Sequence, residues 1–185
     1  MIADQGVPAH RTDSKALHSL RIWMGMSEIT YHLIGVIRTP FKEPRGTPIQ
    51  PTGAEEVEGV IEVDPAYRAG LKDLDGFSHL ILLYHFHLTE GFSLEVRPYM
   101  DKDTHGVFAT RVPGRPNPIS LSVVRLVKVE GCKIHIQDVD IIDGTPLLDI
   151  KPYVPAFDLR ETDEIGWLTG KSGDVRHTKS DGRFV

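Results

Sequence analysis

The hydrophobic pattern along this chain repeats every two residues far more often than every 3.6. In Val57–Val63, Val57, Gly59, Ile61 and Val63 alternate with Glu56, Glu58, Val60 and Glu62, as in a strand with one face in a core. Tyr31–Ile37 is a β-prone stretch that ends at Thr39-Pro40. Phe77–His87 reads as an apolar strand, with His79, Ile81, Leu83, His85 and His87 on one face and Leu80, Leu82, Tyr84 and Phe86 on the other. Val107–Ala109 reads as a short strand, and Ile119–Val129 with Lys133–Ile142 as a hairpin turning at Glu130-Gly131. After the Asp143-Gly144-Thr145-Pro146 turn, Leu148–Tyr153 extends again. Only Pro65–Leu74 suggests a helix. Short strands punctuated by Gly and Pro predict an all-β fold, a barrel or a sandwich, with one or two short helices and flexible termini.

At 185 residues, 40% hydrophobic and 25% charged, the chain suits one globular domain with extended ends. Residues 1–27 read as an N-terminal extension, 28–157 as the β domain and 158–185 as a polar C-terminal tail. In Thr162–Val185 only Ile165, Trp167 and Leu168 have side chains suited to docking on a core. The longest apolar run, Leu80–Tyr84, is too short to span a membrane, and Leu17–Trp23 is broken by His18, Ser19 and Arg21. The single cysteine, Cys132, excludes an intramolecular disulfide and a multi-cysteine zinc site, so the expected setting is cytoplasmic. There is no G-x-G-x-x-G and no P-loop, so a nucleotide-like ligand needs another scaffold. A net charge of −5 argues against general nucleic-acid binding and leaves RNA contact to local arginines.

Three segments carry candidate chemistry. In Ala109–Ser120, Pro113, Pro116 and Pro118 exclude helix and central strand and predict a stiff exposed loop. Arg111 and Arg115 on that loop offer guanidinium forks for phosphate or carboxylate, and Asn117 adds a directional amide. The competing reading is an ordinary loop whose arginines pair with nearby acids. In Asp140–Tyr153, the Asp-Gly-Thr-Pro turn brings Asp143, Asp149 and Lys151 near one another, or else simply caps a turn and forms a surface ion pair. In Phe77–His87, His85 and His87 at i and i+2 invite a metal reading, with Glu90, Glu95 or His105 as a third ligand; the spacing singles out none, and no metal is expected.

Gly35-Val36-Ile37-Arg38-Thr39-Pro40-Phe41, Phe77-Ser78-His79-Leu80, Gly106–Arg111, Arg115-Pro116-Asn117-Pro118-Ile119 and Asp143-Gly144-Thr145-Pro146 follow one another here as in the TrmO (YaeB/TsaA-like) family, which the chain resembles over about residues 31–156. The resemblance implies a small β-barrel, a homodimer, and S-adenosylmethionine as cofactor. The implied activity is N6-methylation of threonylcarbamoyl-adenosine beside the anticodon of tRNA, with no DNA or membrane partner. It further implies that Gln50, Pro51, Thr52, Phe86, His87, Arg111, Leu121, Asp140, Ile141, Ile142 and Asp143 surround the cofactor. Arg111, Arg115, Asn117, Lys151 and Tyr153 are then the acceptor-side candidates, and no general base is assigned. Two residues depart from the family pattern: Val112 stands in its Arg-Ser-Pro, and Ser120 replaces the glycine after Pro-Asn-Pro-Ile. The rival readings are a methyltransferase of the same fold with a small-molecule acceptor, a non-catalytic RNA-binding barrel, and a metal-dependent barrel enzyme using His85 and His87.

Overall fold

The structure is a computed structural model and describes residues 28–184. The predicted extension, 1–27, lies outside the described residues. Residues 28–31 are exposed coil and belong with the N-terminal unit, and the fold described below begins at His32.

Six strands close into a barrel. They are β1 (Gly35–Arg38), β2 (Gly59–Val63), β3 (His79–His85), β6 (Ile119–Glu130), β7 (Lys133–Gln137) and β8 (Thr145–Pro152). Around the barrel the order is β1-β2-β7-β6-β3-β8, every neighbouring pair antiparallel. The remaining pair, β4 (Glu95–Val96) and β5 (His105–Gly106), forms a two-stranded ribbon outside it. Closure leaves the barrel itself without an open edge.

Alternation works as predicted. On β2, Gly59, Ile61 and Val63 are buried, and on β3 so are Leu80, Leu82 and Tyr84. Ile61, Val63, Leu80, Leu82 and Tyr84 meet Ile37, Val124, Ile134, Ile136 and Leu147 in one core cluster inside the barrel. β1 runs so close to β2 that a Cβ built on Gly35 would lie 2.4 Å from the Glu62 carbonyl oxygen, so only glycine fits there. The β6–β7 hairpin turns where expected, with Glu130 facing Lys133 across Gly131-Cys132.

Three expectations need correction. Val107–Ala109 is a 3-10 turn and not a strand, closed by the Thr110 amide donating to the Val107 carbonyl at 3.1 Å. The segment read as strand Lys133–Ile142 ends at Gln137, because Asp138 has a φ of 64° and its carboxylate accepts from the Glu56 amide. Pro65–Leu74 forms two 3-10 segments, Pro65–Leu71 and Leu74–Gly76, and no α-helix. The only α-turn among the described residues is Pro155–Asp158.

The polar C-terminal residues are ordered against the rim of the barrel. Pro48 bridges Lys179, the Ser180 amide donates to Thr47, and the Gly46 amide donates to Ser180. Phe184 then packs on Val96, Val107 and Val112 and lies edge-on to Tyr99 at 5.0 Å. No described helix is long and apolar enough to cross a membrane.

Candidate functional site

A cavity of about 1020 Å³ opens at the end of the barrel where β3 stops and β6 begins. Its size suits a nucleoside-sized ligand. Leu83 and Tyr84 from the end of β3 both reach it. The strand rule would place Phe86 and His87 on opposite faces, but β3 ends at His85 and the chain turns, with the Thr89 amide donating to the Phe86 carbonyl. Both Phe86 and His87 therefore line the cavity.

Three arms meet around this space. The first is the 3-10 turn Pro51–Gly53, which with Gln50 supplies Gln50, Pro51 and Thr52. The second is the proline-rich loop, where Arg111 Nη1 donates to Gln50 Oε1 at 2.9 Å and ties the two arms together. Arg115 lies on the same wall and donates from Nη1 to the Thr110 carbonyl at 3.3 Å. The third arm follows β7, contributing Asp140, Ile141 and Ile142. Leu121, 46% exposed on the outer face of β6, completes the lining predicted from sequence.

The electrostatic focus is Asp140. Ser122 donates its hydroxyl to Asp140 Oδ1 at 2.8 Å, and Tyr84 Oη lies 2.9 Å from the same Ser122 oxygen. With the serine hydrogen given to the carboxylate, the tyrosine hydroxyl donates to the serine. Burial pushes the Asp140 carboxyl up to about 6, against the pull of Ser122 and of the Arg111 charge. Burial also raises the Tyr84 phenol, helped by the Asp140 charge, so Tyr84 stays a neutral donor. His87 is lowered by burial and then by His85, and its Nδ1 sits 3.4 Å from the Thr145 hydroxyl. A lowered histidine next to a cavity is neutral at physiological pH.

Four residues predicted for the site lie outside this wall. Asp143 faces a second, smaller cavity of about 560 Å³, where it accepts from the Thr39 amide and pairs with Lys42 at 2.9 Å. Those partners hold its carboxyl below the usual range, the Lys42 bond contributing most. Lys151 pairs with Asp149 at 2.7 Å on β8, so the expected grouping of Asp143, Asp149 and Lys151 does not form. Tyr153 packs edge-on to His79 at 6.3 Å, and Asn117 gives its carbonyl to the Ile119 amide. An acceptor-side role for Asn117, Lys151 or Tyr153 finds no support in the geometry of this chain. Of the residues that invited a metal, His87 is in the cavity while His105 pairs with Asp101 at 3.2 Å. Among the described residues, no three His, Cys, Asp or Glu side chains converge as metal ligands would.

Sequence reasoning missed Tyr84, Ser122 and Trp167. Ser122 had a readable signal: it is a polar residue at an inward position of β6, between the outward Leu121 and Val123.

The family described as the tRNA-methyltransferase O N-terminal domain matches residues 36–159. The chain belongs to the TrmO family. A probable S-adenosyl-L-methionine-binding protein of Pyrococcus abyssi is 56% identical, the match covering 84% of this chain and 85% of that protein. The tRNA (adenine(37)-N6)-methyltransferase of Escherichia coli is 39% identical over 70% of this chain. This TrmO-family chain spans only 60% of that enzyme's length. A crystal structure of TrmO superposes with a TM-score of 0.65 at 40% identity, covering 75% of this chain and 64% of the other. The TrmO structure from Pseudomonas aeruginosa gives 0.64 at 37% identity, over 76% and 62%. The TrmO-like barrel expected from the resemblance is thus the fold observed.

Proposed function

We propose that this chain is an S-adenosylmethionine-dependent methyltransferase that N6-methylates threonylcarbamoyl-adenosine next to the anticodon of tRNA, acting in the cytoplasm as a homodimer. The observation that carries the reading is the cavity itself, in which a Gln50–Arg111 clamp and the Asp140 carboxylate face a common space in a TrmO-family barrel. The residues present fit the cofactor. Arg111 offers a planar guanidinium to a carboxylate, and Asp140 accepts from hydroxyl or amino groups. Phe86, Leu121, Ile141 and Ile142 supply apolar surface for a flat ring.

When bound, S-adenosylmethionine supplies an electrophilic methyl carbon on a sulfonium. The protein's part is to hold the acceptor nitrogen in line with that carbon and to keep water away, which lowers the barrier chiefly through orientation. Arg115, on the stiff proline-rich loop, suits a phosphate or carboxylate of the acceptor. The same loop carries Arg111, so acceptor and cofactor contacts share one rigid backbone. Asp140 would hold a hydroxyl or amino group of the cofactor, and its charge would best lie away from the sulfonium, whose ground state it would otherwise stabilise.

The test is calorimetric titration with S-adenosylmethionine, followed by transfer of labelled methyl groups to total tRNA. Saturable binding with label in tRNA supports the proposal. Binding without label moves the acceptor to a small molecule, and no binding leaves a non-catalytic RNA-binding barrel.

A further inference from the structure

The segment that follows residue 159 lies beyond the family match, yet Trp167, Leu168, Val175, Ser180 and Phe184 form part of the cavity wall. Trp167 is held at its edge and on one face. The indole Nε1 donates to the Ala109 carbonyl at 2.8 Å, and the ring stacks on His105 at 4.7 Å with planes 20° apart. His105 is braced in turn by Asp101, which also pairs with Lys171 a few residues beyond Trp167. The ring is thus fixed at its edge and on one face while remaining only half-buried.

Its position on the wall is specific. Trp167 takes the carbonyl of Ala109, and Arg115 takes the carbonyl of the next residue, Thr110. Thr110 is extended (φ −134°, ψ 171°), so the two carbonyls point to opposite sides of the chain, yet indole and guanidinium are both anchored to the proline-rich arm and both line the cavity. Phe108, the residue before Ala109, is 76% exposed on the same wall. A rigid aromatic ring and a guanidinium lining one cavity are the combination by which proteins hold an unpaired nucleotide, the base stacking and the phosphate paired.

We propose that Trp167 is the stacking platform for the planar base of the acceptor, and that the segment through Phe184 exists to hold it at the cavity. The proposal deepens the methyltransferase reading and rests on it for the identity of the acceptor, an unpaired nucleotide in RNA. Among the segment's attachments, Ser180 bonds Thr47, close before the Gln50 arm, and Trp167 bonds Ala109 at the start of the proline-rich arm. Base stacking is tolerant of base identity, so Trp167 contributes affinity and orientation, while selection among nucleotides rests elsewhere.

Trp23 is the other of the chain's two tryptophans, so a Trp23→Phe background isolates Trp167 as a fluorophore. In that background a synthetic anticodon stem–loop RNA, titrated with saturating S-adenosylhomocysteine present, is expected to quench Trp167 emission. S-adenosylmethionine alone is expected to leave the emission nearly unchanged. Trp167→Ala is expected to weaken RNA binding roughly tenfold or more, and Trp167→Phe to restore most of it. Both variants should bind S-adenosylmethionine within about twofold of the parent, a change too small to signal a lost contact. Full quenching by S-adenosylmethionine alone, an equal loss of cofactor and RNA affinity in Trp167→Ala, or no RNA-dependent quenching would overturn the assignment. Methyl transfer is read separately. Quenching without transfer supports the platform and sinks the methyltransferase reading; transfer without quenching does the reverse.

Discussion

Leu82 in the barrel wall and Phe184 at its rim are both apolar side chains packed against valines and other aliphatics, but different forces hold their neighbours in place. Around Leu82 the partners stand on paired strands, so backbone register delivers Ile37, Val124, Ile134 and Leu147 together. Phe184 meets Val96, Val107 and Val112, each from a short ribbon, a turn or a loop. The wall is fixed by hydrogen-bonded pairing around a closed circle. The rim is fixed by individual side-chain contacts and single hydrogen bonds, and it is the rim that makes the cavity. Stability and binding are therefore separable in this molecule, and changes at the two places should read out in different assays.

The largest effect is expected in the wall. Leu82→Ala removes a fully buried side chain and should cost about 2–5 kcal/mol by chemical denaturation. A cost below about 1 kcal/mol would mean that the barrel core tolerates cavities as a loose rim does.

Asp140 stands between wall and rim, and its effect depends on pH. Its ordinary value is 3.8 and burial raises it to about 6. The protonated form is the one that the fold favours, so its contribution is fully present below pH 3.8 and is lost as pH rises through about 6. Asp140→Asn should therefore match the parent near pH 4 and exceed it by up to about 3 kcal/mol at pH 8, seen as a widening gap in melting curves. A gap independent of pH would show that the Ser122 hydrogen bond, and not ionisation, dominates.

Arg111→Ala belongs to the rim. It should weaken S-adenosylmethionine binding roughly 10–100-fold through loss of a charge-assisted contact, with the thermal midpoint nearly unchanged. Equal losses of stability and affinity would break the proposed separation. The smallest change expected is from Phe184→Ala, about 1 kcal/mol in stability, because its ring is only partly buried. Its sharper readout is faster amide exchange at Ser180 and Gly46, because Phe184 packs on Tyr99, whose hydroxyl bonds the Ser180 side chain. Unaltered exchange would show that the ring does not hold the segment.

The sequence made the wall legible and the rim much less so, for the same physical reason. Ile61, Leu82 and Val124 announce themselves through local alternation, which needs no knowledge of partners. Phe86 and His87 reach the cavity together past the end of β3, which stops two residues before the end of the Phe77–His87 run read from the sequence. Asp143 looked like a site residue from its motif, but its carboxylate is committed to Thr39, a residue 104 positions away. Trp167 bonds to Ala109 across 58 positions and Thr89 donates to the Phe184 carbonyl across 95, and no local pattern encodes either contact. Gly144 is an exception at the rim: its φ of 80° was readable in Asp-Gly-Thr-Pro, because that turn needs a residue free to take a left-handed backbone.

The central claim is methyl transfer to an adenosine in tRNA, and the most direct measurement is mass analysis of nucleosides from tRNA incubated with the protein and methyl-labelled S-adenosylmethionine. The account predicts one labelled methyl group on threonylcarbamoyl-adenosine, with the signal strongly reduced by Arg115→Ala while cofactor binding persists. Label-free tRNA from a protein that binds S-adenosylmethionine tightly would contradict it.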